Sequence, residues 1–253
     1  MTATERPRLR LFVPDALAEG GQIALAKPQA HYLGAVMRAA PGEAVLVFNG
    51  RDGEWRARIA QLTKAAAVLA VEARTRPQAP EPDLWLLAAP IKRDRIDLVA
   101  EKASELGASL LWPVFTRRTV MSRVNEERLA AHLLEAAEQC ERLTVPELKS
   151  PVALDKALAD WDERRPLLFL DESGEGPPLA EALAGIASGA PLALLVGPEG
   201  GFAPEERRLL AARSFTRPVS LGPRVLRAET AAIVALAVVQ AVVGDWGRRP
   251  RQS

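Results

Sequence analysis

The sequence predicts an α/β protein in two parts, a small β-barrel followed by a mostly parallel sheet covered on both faces by helices. Three observations predict it. Residues 1–75 consist of short apolar runs separated by turn signals. Residues 75–83 carry Pro77, Pro80 and Pro82 with no apolar periodicity, which reads as an extended linker. Beyond that point, unbroken apolar runs alternate with amphipathic helical stretches, the pattern of a sheet buried on both sides.

In the first part, residues 9–13, 22–25, 44–48, 54–59 and 67–71 read as strands. Asn49-Gly50 and Asp52-Gly53 mark a tight hairpin between two of them. One helix is expected over 30–38, stopped by Pro41-Gly42. Five or six short strands and a single helix in so short a stretch suggest a small barrel. In the second part, residues 84–89, 110–115, 167–170, 192–196 and 219–221 are the expected buried strands. After the first of these, Ile96, Val99, Ala103 and Leu106 share one helical face. Further helices are expected over 126–142, 178–187, 204–212 and 228–243. The domain boundaries read from this are 1–75, a Pro-rich linker 76–83, 84–247 and a basic tail 248–253.

At 253 residues with 48% apolar and 26% charged composition, the chain is long enough to bury a core without metals or disulfides. A lone cysteine, Cys140, makes no internal disulfide and suits a reducing compartment. Two histidines and one thiol leave no structural zinc set, so no metal is expected. The first ten residues are polar, and the most apolar window, 231–243, is broken by Gln240 and too short for a bilayer. The protein therefore reads as cytoplasmic, without a membrane partner. Net charge is +1, yet residues 1–75 hold ten Lys and Arg against seven Asp and Glu. Basic clusters stand at Arg6/Arg8/Arg10, Arg117/Arg118/Arg123 and Arg248/Arg249/Arg251. Such clusters are either solvated surface or local stripes for phosphate.

Two loops each follow a buried strand, where open α/β sheets place their ligands. The first is Gly197-Pro198-Glu199-Gly200-Gly201-Phe202, ahead of a helix with Pro204 near its start. Its glycines give a tight path that a ligand can approach closely. Glu205 and Glu206 in the first turn make it a poor phosphate cradle. The second loop is Leu221-Gly222-Pro223-Arg224-Val225-Leu226-Arg227, leading into Ala228-Glu229-Thr230-Ala231 at the mouth of an apolar helix. Glu229 and Thr230 there are either ordinary N-terminal residues or ligand contacts. Neither a G-x-G-x-x-G after the first strand of the second part, which continues Ala89-Pro90-Ile91-Lys92, nor a P-loop is present.

These two loops, in this order and spacing, resemble the 16S rRNA (uracil-N3)-methyltransferases, the RsmE family of the SPOUT class. Supporting matches are Glu101-Lys102 through Glu105-Leu106-Gly107, Glu138-Gln139 with Arg142, His31, Val36 and Arg38 ahead of Pro41-Gly42, and Phe48-Asn49-Gly50. Cys140 and Met37 stand where that family commonly has serine and leucine. The resemblance implies an N-terminal PUA-like RNA-binding barrel, a C-terminal domain with a deep trefoil knot, a homodimer, and S-adenosylmethionine as cofactor. It implies a cofactor cradle of Leu195, Gly197, Glu199, Gly200 and Gly201. The other wall would be Leu221, Gly222, Leu226, Arg227, Glu229, Thr230 and Ala231. The substrate it implies is a uridine of 16S rRNA in the 30S subunit, contacted by Arg8, Arg10, His31, Arg38, Arg117, Gln139 and Arg142.

Methylation at uracil N3 requires loss of the imide proton, helped by positioning, a base, or a cation that stabilises the anion. Glu199, Glu229 and Glu138 are the candidate bases, and Arg227 or Arg142 the candidate cations. The 126–142 helix puts His132, Glu135, Gln139 and Arg142 on a polar stripe, with Leu129, Leu133, Ala136 and Cys140 opposite. That face makes Cys140 a small core residue. The last helix, apolar nearly all round, is expected to meet the sheet on one face and a second subunit on another, or else to be wholly internal. Competing readings are a non-catalytic rRNA-binding or assembly factor, an enzyme acting on a small nucleotide, and a related enzyme methylating another RNA nucleoside.

Overall fold

The computed structural model describes residues 7–173 and 176–247. Arg6 and the tail 248–253, with Arg248, Arg249 and Arg251, lie outside the described residues. The chain forms two compact units. One comprises the chain up to Pro80 together with Ala137–Val145, the other Glu81–Ala136 and the chain from Pro146 onward.

The first unit contains β1 (Leu9–Phe12), β2 (Gln22–Leu25), α1 (Lys27–His31), β3 (Ala44–Phe48), β4 (Glu54–Leu62) and β5 (Ala67–Arg76). Its sheet runs β1-β3-β4-β5-β2, with only β1 and β3 parallel. Alternate residues of all five strands, among them Leu11, Ile23, Val45, Ile59 and Leu69, meet in one core cluster. The sheet therefore curls around that core as a half-barrel, with β1 and β2 at its two edges. The expected hairpin is present between β3 and β4: the Asn49 side-chain oxygen accepts the N–H groups of Arg51 and Asp52, at 3.0 and 2.8 Å. The expected helix over 30–38 is instead a short α1 that widens into a π-helical turn over Tyr32–Val36, where Met37 N–H bonds Tyr32 O five residues back. Arg38, at φ 54°, ends it.

The back of β3 is covered by residues 137–145. Leu46 and Phe48 on that side are buried. Glu54, 0% exposed, ties the two together. Its carboxylate accepts Arg10 Nε at 2.9 Å, Arg76 Nη2 at 3.0 Å and Thr75 Oγ1 at 2.9 Å. Arg10 then donates to the carbonyls of Ala137 and Arg142, and Arg76 to that of Glu141. Arg10 also lies flat on Phe48, 3.7 Å from the ring centroid. The sequence assigned Arg10 to RNA. Its guanidinium is instead buried and committed to this clamp, because a core carboxylate 44 residues away claims it.

The second unit holds β6 (Leu84–Ala88), α2 (Arg93–Glu105), β7 (Leu110–Phe115), α3 (Glu126–Gln139), β8 (Glu147–Leu148), β9 (Val152–Ala153), α4 (Leu154–Ala157), β10 (Leu167–Leu170), α5 (Leu179–Leu183), β11 (Leu192–Val196), α6 (Pro204–Ala211), β12 (Thr216–Val219) and α7 (Ala228–Val242). The sheet is parallel throughout, in the order β12-β10-β11-β6-β7-β8, with β9 also pairing β7. β11, Leu-Ala-Leu-Leu-Val, is buried at every position, as a central strand covered on both faces must be.

Three expectations shift. The last strand lies over 216–219 rather than 219–221; Pro218, which donates no N–H, is tolerated because β12 is an edge strand. The helix expected over 178–187 is a short turn of five residues. α3 stops at Gln139, three residues early, and Glu141 at φ 64° turns the chain away. Leu129, Leu133 and Ala136 are buried as expected, but Cys140 lies past the helix end and is exposed rather than in the core.

Deep in α7 the buried polar residue is Gln240, Glu229 lying at the helix start; its Nε2 donates to Leu106 O at 2.9 Å while Oε1 accepts Asp245 N–H at 3.1 Å. The apolar helix thus tolerates an amide because both its ends are satisfied. Among the described residues, no helix is long and apolar enough to cross a membrane, and no His, Cys, Asp and Glu group is placed to hold a metal ion.

Candidate functional site

A cleft of about 260 Å³ opens at the carboxyl ends of β10, β11 and β12. This is the end of a parallel sheet where strand-to-helix loops converge and ligands bind. One wall is the 197–202 loop. A Cβ on Gly197 would stand 3.2 Å from the Phe202 ring, so glycine lets that ring tuck beneath the loop. Phe202 is buried there edge-on to Phe169, centroids 6.0 Å apart. Gly201 has φ +66°, and a Cβ on it would overlap the Glu172 carboxylate.

The loop is braced from outside. Arg118 Nη1 donates to Gly200 O at 2.6 Å. The buried Glu206 carboxylate accepts Ala203 N–H at 2.8 Å, closing the first turn of α6, and Arg117 N–H at 2.7 Å. Glu206, read from sequence only as a charge hostile to phosphate, thus ties the start of α6 to the loop after β7.

The opposite wall is the 220–227 loop, turning at Gly222 (φ +95°), with Ala228 and Ala231 of α7 behind it. Between the two walls the end of β10 supplies Leu170, Asp171 and Glu172. Asp171 accepts the Ser173 hydroxyl at 2.7 Å and pairs with Arg207 at 3.1 Å; Glu172 reaches the same guanidinium at 3.7 Å.

Chemically the cleft combines apolar walls, glycine backbone close enough to offer N–H and C=O groups, and three carboxylates, Asp171, Glu172 and Glu199, against two cations, Arg224 in the lining and Arg207 beside the first two. Such a set grips a flat heterocycle and favours a cationic ligand over an anion. A nucleoside bearing a sulfonium meets both conditions, so the residues present fit S-adenosylmethionine.

Residues 78–240 match the RNA methyltransferase domain family and residues 25–72 the RNA methyltransferase PUA domain family. The ribosomal RNA small subunit methyltransferase E of Rickettsia conorii is 33% identical over 91% of this chain and 94% of its own length. That of Synechocystis is also 33% identical, over 92% and 78%. The chain belongs to the ribosomal RNA small subunit methyltransferase E family. Among solved structures, the Neisseria gonorrhoeae member bound to S-adenosyl methionine superposes with a TM-score of 0.85 at 26% identity, covering 94% of this chain and 99% of that one. A Legionella pneumophila protein in complex with the bound cofactor SAM gives 0.83 at 32%, covering 95% and 99%. Like its family, the chain is an RNA methyltransferase dependent on S-adenosylmethionine.

Of the cofactor residues expected from the resemblance to the family, Gly197, Glu199, Gly201, Leu221, Gly222, Leu226 and Ala231 line the cleft. Leu195 lies beneath it, 0% exposed in the core of the sheet. Gly200 is on the outer turn of its loop under Arg118. Arg227 and Thr230 are exposed where α7 begins, outside the cleft lining. Glu229 is buried and turned toward α2, where Oε1 meets Arg95 at 3.1 Å. Its Oε2 is buried without a hydrogen-bond partner among the described residues.

The other expected residues divide between the units. Arg117 is exposed on the loop after β7. Arg142 belongs to the first unit, with its guanidinium 3.4 Å from Thr144 Oγ1. Arg8 and Gln139 line a small polar recess of that unit with Tyr32 and Met37, and His31 and Arg38 are exposed nearby in the chain. The cleft residues that sequence reasoning missed are chiefly Leu170, Asp171 and Glu172. They follow a buried strand just as the two recognised loops do, and that positional rule was the available signal.

Proposed function

We propose that the chain methylates N3 of a uridine in 16S rRNA. The observation that carries this reading is the glycine-walled, carboxylate-bearing cleft in a chain whose full-length relatives are small-subunit rRNA methyltransferases. S-adenosylmethionine, when bound, supplies the methyl group as an electrophile on a sulfonium. The residues of the chain bind and orient. Backbone of Gly197, Gly201 and Gly222 would offer hydrogen bonds to the adenine of the cofactor, and Leu170, Val196 and Leu226 would supply the apolar walls. Glu199 and Glu172 favour the positive charge before transfer.

Arg227 is an exposed cation without an ion-pair partner among the described residues, set where the cleft wall becomes α7. It is the group we assign to the uracil anion left when N3 loses its proton. Glu229, held by Arg95 and buried, is assigned to fixing the start of α7, and Glu138 accepts Phe12 N–H at 2.9 Å in the first unit, so of the three candidate bases we assign the proton to Glu199, exposed on the cleft. The test supplies labelled S-adenosylmethionine and unmodified 30S subunits, and separates the digested nucleosides by mass spectrometry. Label in N3-methyluridine supports the reading; label in another nucleoside overturns the target and keeps the chemistry.

The same reading includes a trefoil knot, a cytoplasmic setting and a homodimer. What favours the dimer is α7, whose outward side presents Val234, Val238 and Val242, the last 46% exposed, followed by Trp246 at 51%. A second copy of the chain would cover that apolar stripe. Val238→Glu is expected to halve the mass found by light scattering; a wild-type chain that is already monomeric at micromolar concentration overturns the dimer.

A further inference from the structure

We infer that RNA lies across the carboxyl edge of the parallel sheet, its phosphates held by Lys92 and Arg93 after β6 and by Arg117 and Arg123 after β7. The inference rests on the RNA methyltransferase reading and adds to it a surface in the second unit, separate from the half-barrel. Because every strand of this sheet is parallel, the loops leaving β6, β7 and β12 all emerge on the edge that holds the cleft. All four side chains are exposed and have no ion-pair partner among the described residues.

Other exposed cations without an ion pair among the described residues, such as Lys156, Arg213 and Arg217, lie away from this edge, whereas these four share it. Most buried or half-buried cations elsewhere are committed: Arg95 to Glu229, Arg128 to Asp97, Arg165 to Asp83, Arg207 to Asp171. Carboxylates that neutralise arginines internally leave the net charge at +1, which hides the group of unpaired cations on this edge. Arg224 and Arg227, on the loop after β12, extend the same edge across the cleft. From β12 to β7 is four inter-strand steps, about 19 Å, room for several successive nucleotides. Asp94, Glu199 and the buried Glu206 oppose this charge, and so do Asp171 and Glu172 in the cleft, which Arg207 partly neutralises.

The loop after β7 is also held in place before any ligand arrives. Thr116 N–H bonds Thr119 Oγ1 at 2.9 Å, Arg117 N–H is fixed by Glu206, and Arg118 is spent on Gly200 O. Its backbone is anchored while Arg117 and Arg123 point free, so little ordering cost remains on binding. The anchor on Gly200 also makes this loop one body with the cleft wall, which fixes the distance between phosphate contacts and the transferring group.

The test compares two double variants of equal charge change. Arg93→Ala/Arg123→Ala removes two cations from the carboxyl edge. Arg213→Ala/Arg217→Ala removes two exposed ones from the chain entering and forming β12, Arg213 lying at the amino edge. Each is titrated with unmodified 16S rRNA over a range of salt, and with S-adenosylmethionine by calorimetry.

The first variant is expected to bind RNA about tenfold more weakly near physiological salt, and to lose about two units from the log–log salt slope. Its cofactor affinity should stay within twofold of wild type, and the second variant should match wild type in both. An unchanged slope in the first variant, or an equal loss in the second, overturns the inference while leaving the methyltransferase intact. Wild-type protein that binds cofactor but shows no salt-dependent RNA affinity would instead sink the reading beneath it.

Discussion

Replacing Glu54 by alanine is expected to cost the first unit about 3–5 kcal/mol, the range found when one partner of a buried ion pair is removed. The carboxylate is 0% exposed and serves Arg10, Arg76 and Thr75 at once. Without it two guanidiniums remain half or fully buried and lose the carboxylate they share, and both have their other ends on the carbonyls of 137–142. The loss should therefore appear in β3 and β4 and in the 137–145 segment together. Native-state hydrogen exchange of residues 44–62 and 137–145 reads it; exchange that rises in neither would remove the clamp from the account of this unit.

The effect has a pH signature. Burial alone would push the Glu54 carboxyl up, but the bonds from Arg10 and Thr75 and the charge of Arg76 outweigh it and hold it below the usual carboxylate range. A carboxyl whose folded-state pKa is depressed contributes stability above its unfolded value, and that contribution fades as pH falls through the folded one. Wild type and Glu54→Ala should thus differ fully at neutral pH and converge in acid.

Arg227→Ala should lower kcat by about 10²–10³, the cost of losing one group aimed at charge that develops in the transition state. The side chain makes no hydrogen bond or ion pair among the described residues, so its removal should barely change stability. Because it lies outside the cleft lining, cofactor affinity should hold. The discriminating measurement is the pH profile. A variant that fails to stabilise the uracil anion should recover as rising pH removes the N3 proton without help, and Arg227→Lys should retain part of the rate. A defect that is flat with pH, or one that appears in cofactor affinity, would move Arg227 from anion stabilisation to cofactor binding.

Much of the architecture was legible because its signals are local. Strands such as 192–196 announce themselves as unbroken apolar runs, and the two glycine loops mark the cleft because Gly197 packs against the Phe202 ring and Gly201 and Gly222 turn at positive φ. What escaped depends on partners distant in sequence. A cluster of arginines near the N-terminus looks the same whether solvated or buried, and only the fold shows that Arg10 belongs to Glu54. The end of α3 was misjudged for a related reason: Glu141 takes a left-handed conformation with no glycine to advertise it, and what holds 139–145 is the back of another sheet. The third wall of the cleft, Asp171 and Glu172, carries no motif at all.

The half-barrel is discontinuous, and that has a consequence for how it is made. When synthesis has passed Pro80, all five of its strands exist, but the segment that covers Leu46 and Phe48 and receives the protons of Arg10 and Arg76 is still 65 residues from the peptidyl-transferase centre, at Val145. At about 5–20 residues per second the nascent chain waits roughly 3–13 s with that face open. A fragment ending near residue 80 would lack residues 137–145 and stay in this state for good, so a cut at the linker does not yield the whole first unit.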